Sequence, residues 1–237
     1  MDETQIFPEQ IRLPGQSCVA DGPHDQTGMY VMHHAFRRDL AAFEAAVRAT
    51  PLSDGPTWTA LAGRWTAFAT VLHHHHGAED DHLWPLLLTK AAGDADATAL
   101  LHAMEAEHDR IDPALTSVAS GFSAMVEHPC GDHRNALDVH VTAARAALLA
   151  HLAHEETEAL PLLQRTLSVE ENAAFEKAAE RSYPLRMIPF LLPWVSAGLP
   201  DAVRRRVVDG AGPGYGLLLR LLRGRYERGE RRAFRYV

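Results

Sequence analysis

Two cysteines in 237 residues, Cys18 and Cys130, leave no disulfide framework on which a small scaffold could depend. Aromatic residues are scarce at 7%. β-Branched and aromatic residues rarely alternate with polar ones, and no Asn-Gly or Asp-Gly pair separates two apolar runs, which excludes a hairpin-built architecture. No apolar run reaches the ~20 residues of a membrane-spanning helix. Residues 1–22 carry acidic groups where a secretory leader needs basic ones, so the expected setting is a reducing cytoplasm. Apolar residues at 46% and charged residues at 23% fit an ordinary folded chain and exclude collagen-like or disordered readings. The net charge of -8 hides a division: residues 1–180 hold 11 basic and 27 acidic side chains, residues 181–237 hold 12 and 4. The simplest expectation is a cationic tail folded back over an anionic body. A contact with an anionic membrane or a protein partner is the alternative.

What is abundant is helical periodicity and histidine, of which there are 15. Phe36, Leu40, Phe43 and Val47 step by four and three within 26–49, and Trp58, Leu61, Trp65, Phe68 and Leu72 repeat the pattern from about Thr57. A third stripe runs through Leu101, Met104, Ile111, Leu115, Val118, Phe122 and Met125, with Pro113 as a potential bend. A fourth runs through Leu137, Val141, Ala144, Leu148, Ala159 and Leu162. Pro85 and Pro161 are expected to kink or end the second and fourth helices. Short loops near 50–56, 91–97 and 127–133 join these segments, which predicts an all-α, antiparallel up-down-up-down four-helix bundle. Residues 1–24 read as an N-terminal arm, 25–165 as the bundle and 166–237 as a basic helical extension packed on it. The extension opens with a capping box at Ser168-Val169-Glu170-Glu171. The proline-broken apolar segment 184–198 and an arginine-rich amphipathic stretch over 216–234 follow.

Extending each stripe by the same step lands on polar residues. His33 lies three before Phe36; His75 and Glu79 follow Leu72; His108 fills the gap between Met104 and Ile111; His151 and Glu155 fill the gap between Leu148 and Ala159. Counted from the connecting loops, each lies about 11 to 19 residues away, which places all six in one layer of the bundle within the usual boundary error. Unpaired polar groups in a core cost several kcal/mol each, so something must bind them. Four imidazoles and two carboxylates suit a first-row transition metal, iron above all. The i, i+4 pairs His75/Glu79 and His151/Glu155 each present two donors on one face. The alternation of a lone histidine with a His/Glu pair makes the set quasi-symmetric, as a two-metal site would be. His73, His74 and His76 read as solvent-facing or outer residues, His34 as exposed, and Glu105 as a reserve ligand at Glu-x-x-His spacing from His108. His154 and Glu156 read either as partners that orient imidazoles or as surface residues.

The motifs His33-His34-Ala35-Phe36-Arg37-Arg38, His75-His76-Gly77-Ala78-Glu79-Asp80 with Leu83-Trp84-Pro85, Glu107-His108-Asp109-Arg110-Ile111, and His151-Leu152-Ala153-His154-Glu155-Glu156 with Leu160-Pro161 resemble the hemerythrin-like, or HHE cation-binding, family over residues 25–165. The resemblance implies a non-haem centre of two iron ions with an oxo or hydroxo bridge. It assigns His33 and His75 to one iron, His108 and His151 to the other, and Glu79 and Glu155 as bridging carboxylates. In two places the chain departs from the oxygen-carrying pattern. Met104 stands where a second third-helix histidine is found, and Glu155 follows His151 at i+4, with Glu156 offering the i+5 spacing. The function implied is binding of, or reaction with, dioxygen, peroxide or nitric oxide, with catalase-like oxidoreductase turnover included. The rival reading is an iron- or redox-responsive regulator acting through the basic C-terminal segment. A structural zinc or mononuclear site is a third. No groove-reading motif suggests a specific nucleic-acid partner, and a monomer or small homo-oligomer is expected.

Overall fold

The computed structural model describes residues 7–237 and is all-helical, with no strand among the described residues. The first six residues of the expected arm lie outside that range. Four long helical segments form the bundle. The first is α1 (Thr27–Ala49) and the second α2 (Gly55–Ala78), which runs through a π-helical turn, Glu79–Leu83, into α3 (Trp84–Lys90). The third is α4 (Ala95–Glu127). The fourth is α5 (Gly131–His154), which runs through a second π turn, Glu155–Ala159, into α6 (Leu160–Thr166). Contacts α1 to α2, α2 to α4, α4 to α5 and α5 to α1 close the ring. The side chains that seal it are the expected stripes: Phe36, Leu40, Phe43, Trp58, Trp65, Phe68, Val118 and Phe122 are all buried.

Local chemistry sets the boundaries. Asp54 and Asp94 cap α2 and α4 by accepting the amides of Thr57 and Ala97. The capping box at Ser168 starts α7 (Val169–Ser182). Neither Pro85 nor Pro161 ends its helix. In each case one widened turn absorbs the proline, with Trp84 N–H donating to the Glu79 carbonyl and Leu160 N–H to the Glu155 carbonyl. A proline ring clashes with the carbonyl four residues back, and a turn closed over five residues relieves that clash while helical bonding continues. Pro113 lies inside an uninterrupted α4.

Beyond α7 come a 3₁₀ turn (Leu185–Met187), α8 (Ile188–Ser196), α9 (Asp201–Gly210) and α10 (Tyr215–Ala233). These do not hang free. α8 packs on α1, α10 on α2 and α8, and α7 on α2 and its π turn. Leu191, Trp194, Val195 and Ala233 join the bundle core. Buried Asp39 is the polar anchor, accepting from the Trp194 indole at 2.7 Å, from Arg38 Nη2 at 2.9 Å and from Arg64. The cationic tail folds back on the body, with Arg206 on Asp25 at 2.7 Å, Arg64 on Glu230 and Arg235 on Asp54 at 3.5 Å. Residues 7–26 are also docked. Ile11, Leu13 and Ala20 are buried, and the Gln164 amide donates to the carbonyls of Ala20 and His24 at 2.9 and 2.8 Å. No described helix is long and apolar enough to cross a membrane.

Candidate metal centre

All six residues expected to face the interior do so. His33, His75, Glu79, His108, His151 and Glu155 are buried at one level of the bundle. They fall into two groups whose donor atoms lie within 4.8 Å of one another: His33, His75 and Glu155, and His108 and His151 together with His76. Glu155 thus belongs to the first group and Glu79 to neither, and each approaches a histidine of both groups. Glu79 Oε1 is 3.3 Å from His75 Nε2 and its Oε2 is 3.7 Å from His108 Nε2. Glu155 Oε2 is 3.2 Å from His33 Nε2 and 3.8 Å from His151 Nε2. Glu79 thus approaches one histidine of each group with separate oxygens, and Glu155 approaches one of each with Oε2.

His76 is a correction to its reading as solvent-facing. It is buried, its ring stacks on His108 at 3.9 Å, and it meets His151 edge-on at 5.2 Å. The signal was in the sequence: His76 lies four after Leu72 and three before Glu79, so it shares the stripe with His75. A core-facing stripe at least about 100° wide admits two adjacent residues. His34, expected to be exposed, is instead half-buried beside Gly198, with Nδ1 shut away from solvent. Glu105 engages only His102 among the described residues, at 3.2 Å.

The outer nitrogens of three imidazoles are held by carboxylates. His33 Nδ1 is 2.9 Å from Glu156, His108 Nδ1 is 2.7 Å from Asp80, and His151 Nδ1 is 2.9 Å from Glu107. An anionic acceptor favours the tautomer carrying hydrogen on Nδ1 and turns the Nε2 lone pair inward. Glu156 therefore stands behind His33, on its Nδ1 side. It is buried, takes both Arg37 Nη groups at 2.6 and 2.9 Å, and accepts the Ser17 amide at 2.7 Å. His154 is not a bare surface residue either, since its Nδ1 lies 2.9 Å from the other oxygen of Glu107. Asp80, Glu107 and Arg37 stand inside the motifs, but periodicity assigned them no role because they point off the stripe.

Inside this shell the inward atoms meet only one another, at ion-pair distances, and lack well-formed hydrogen bonds among the described residues. His33 Nε2, His75 Nε2, both nitrogens of His76 and both oxygens of Glu79 and of Glu155 are buried without a hydrogen bond. Each such group costs about 1–3 kcal/mol when left unsatisfied. The Nε2 atoms of His108 and His151 face each other at 3.1 Å, and two lone pairs at that range repel unless a cation or proton accompanies them. Burial, together with the charge of His33, pushes the His75 imidazole down to about 3. Burial likewise holds His76 well below, and His151 below, the ordinary imidazole value. Burial and the charge of Glu155 push Glu79 well above the usual carboxylate range. For Glu155, burial opposes ionisation, yet the surrounding imidazoles, His33 foremost, hold it at about 2. Inward imidazoles, with His75, His76 and His151 held neutral by burial and His33 shifted up, against its burial, by Glu155 and Glu156, and a carboxylate pair whose charges repel make a donor set that a divalent or trivalent cation fits.

The sequence profile of the hemerythrin HHE cation-binding domain matches residues 26–163. The chain belongs to this family. The match runs from α1 through both π turns into the first turn of α6 of this hemerythrin-type chain, and leaves α7 to α10 outside. A zinc finger protein BRUTUS-like of Arabidopsis thaliana is 23% identical over 178 residues, which are 74% of this chain and 14% of that protein. The hemerythrin-type chain therefore spans about one seventh of the length of that relative. No solved structure matches it. Family and donor set agree on a metal-binding bundle.

Proposed function

We propose that the chain is a non-haem di-iron protein that binds or reacts with dioxygen, peroxide or nitric oxide. The carrying observation is the convergence of buried imidazole nitrogens and carboxylate oxygens into two adjoining groups, without well-formed hydrogen bonds among the described residues. His33 and His75 would hold one ion, His76, His108 and His151 the other, and Glu79 and Glu155 would span both. Two irons there supply redox equivalents and coordination positions for a small ligand. By donor count, the pair that includes His33 is the less saturated and is where an exogenous ligand is expected. Phe36, Leu72, Met104 and Ile111, all buried, wall the site with apolar atoms. That wall excludes bulk water and limits entry to small molecules. Asp80, Glu107 and Glu156 fix the imidazoles and absorb part of the positive charge.

Metal analysis and the visible spectrum of anaerobically purified protein, before and after air, test the reading. About two irons per chain and an air-dependent absorption change are expected, and oxygen evolution on adding peroxide would identify turnover. Colourless protein expressed with ample iron, or a stoichiometry near one metal per chain, would overturn it. A regulatory reading is favoured by one contact: α7, outside the family match, packs on the π turn that carries Glu79. Iron-dependent exposure of α7 to protease, with no peroxide turnover, would select it.

A further inference from the structure

A second site lies away from the bundle core. A cavity of about 600 Å³ opens where α2, α8 and α10 meet, and Arg64, Phe190, Tyr226, Arg186, Arg225 and Arg232 line it. Its size is that of pockets that take small molecules, and its chemistry is cationic. Arg64 is 7% exposed, and although two of its nitrogens engage Asp39 and Glu230, Nη1 is buried with no partner. The Tyr226 hydroxyl is buried and unpartnered as well, and burial pushes its phenol up, which keeps it a donor. Around these two, Arg186, Arg225 and Arg232 make no ion pair among the described residues, the lining acid Glu230 being committed to Arg64. Phe190 supplies an apolar face, with the Arg64 guanidinium 4.8 Å from its ring centre and the Tyr226 ring at 6.0 Å.

Three uncompensated guanidinium groups around one cavity, with a buried fourth behind them, are a receptor for an oxyanion. The aromatic wall suits whatever carries it. We propose that this cavity binds a phosphate monoester, with the phosphate held by Arg225, Arg232 and Arg186, the buried Arg64 guanidinium adding its charge from behind them, and the ester group against the edge of the Phe190–Tyr226 wall. A dianionic phosphate matches the excess positive charge, and guanidinium groups bind phosphate oxygens in pairs. The group could be carried by a soluble metabolite or by a lipid headgroup, since Leu217 and Leu221 on α10 are exposed and free to meet a membrane surface. The proposal is independent of the metal reading, since it uses none of the candidate donors.

The probes are phenyl phosphate in solution and vesicles of phosphatidylcholine with or without phosphatidic acid, used with the full chain in its metal-loaded form at about 150 mM salt, where non-specific attraction is screened. Calorimetry should show one saturable site for phenyl phosphate and none for phenol. Arg225→Ala and Arg232→Ala, both at exposed positions, should each weaken binding about tenfold or more while the melting profile stays unchanged. Tyr226→Phe should weaken it less. Flotation with phosphatidic acid vesicles only, lost in the same variants and without soluble binding, supports the site and assigns the phosphate to a headgroup. Absence of binding to either probe overturns the proposal. Binding that survives the Arg225→Ala/Arg232→Ala double variant overturns it equally.

Discussion

His76 is the residue that would make the two proposed metal positions unequal. It is buried beside His75, has neither nitrogen bonded and stacks on His108. His76→Ala should lower iron content by about half, whereas His75→Ala and Glu79→Ala should lower it further, because His75 belongs to the position with fewer imidazoles and Glu79 spans both. His34→Ala, one residue from His33, should leave iron content unchanged. Metal analysis of the four variants, with helicity checked by circular dichroism, decides this, and loss of iron from the His34 variant would overturn the first-helix assignment. The same imidazoles give the metal-free chain a pH signature. His75, His76 and His151 have folded values below the unfolded 6.5. The unfolded chain therefore binds protons first, and stability that is complete above about pH 6.5 is lost as pH falls toward 3. Glu155, held at about 2, acts in the same direction below pH 4.5. His33 and Glu79, both raised, act in the opposite direction, their contributions fading as pH rises through their folded values. With the depressed groups in the majority, the melting temperature of the metal-free chain should drop between pH 6.5 and pH 4, and metal should flatten the profile. A flat metal-free profile would show that these imidazoles are not held neutral.

At the scale of the element, the two π turns are what place consecutive carboxylates in different roles. Each begins at an inward glutamate, Glu79 or Glu155, and the next residue, Asp80 or Glu156, reaches the Nδ1 of a histidine on another helix, His108 or His33. Asp80→Asn keeps the shape and removes the anionic acceptor. It should weaken metal binding about 10–100-fold with little change in the melting temperature of the metal-free chain, measured by competition with a chelator. Little of this was legible in the sequence. Stripes of period near 3.6 reveal which residues face inward, so the bundle and the six inward donors followed from Phe36, Leu72, Met104 and Leu148 and their neighbours. Pro85 and Pro161, however, read as kinks or ends, because a proline signals that an ordinary helical bond is missing and not how the backbone repairs the loss. Residues off the stripe, such as Glu107 and Arg37, gain their partners only when helices distant in sequence meet.

For the whole molecule, the anchoring of the extension depends on a buried charge. Asp39 compensates Arg64 and Arg38 and accepts the Trp194 indole, so Asp39→Ala would leave a buried guanidinium uncompensated. A loss of about 3–5 kcal/mol is expected from denaturant unfolding, with α8 and α10 released together. The sequence announced the tail's charge and its amphipathic helices, but not this anchor, since Asp39 and Trp194 carry no pattern that pairs them. The N-terminal segment is tied down by a smaller device. A methyl group on Gly22 would meet Gln164 Cβ at 2.8 Å, displacing the amide that holds Ala20 and His24. Gly22→Ala should cost about 1–3 kcal/mol and open residues 7–24 to proteolysis, which mass spectrometry of the digest would locate. The Ser17 amide on Glu156 gives that segment reach into the interior, one hydrogen bond from His33. A recombinant fragment trimmed to residues 26–163 would consequently lose both the Ser17 amide behind His33 and the Trp194 ring that packs on Phe36 at 5.3 Å, and its iron affinity would understate that of the intact polypeptide.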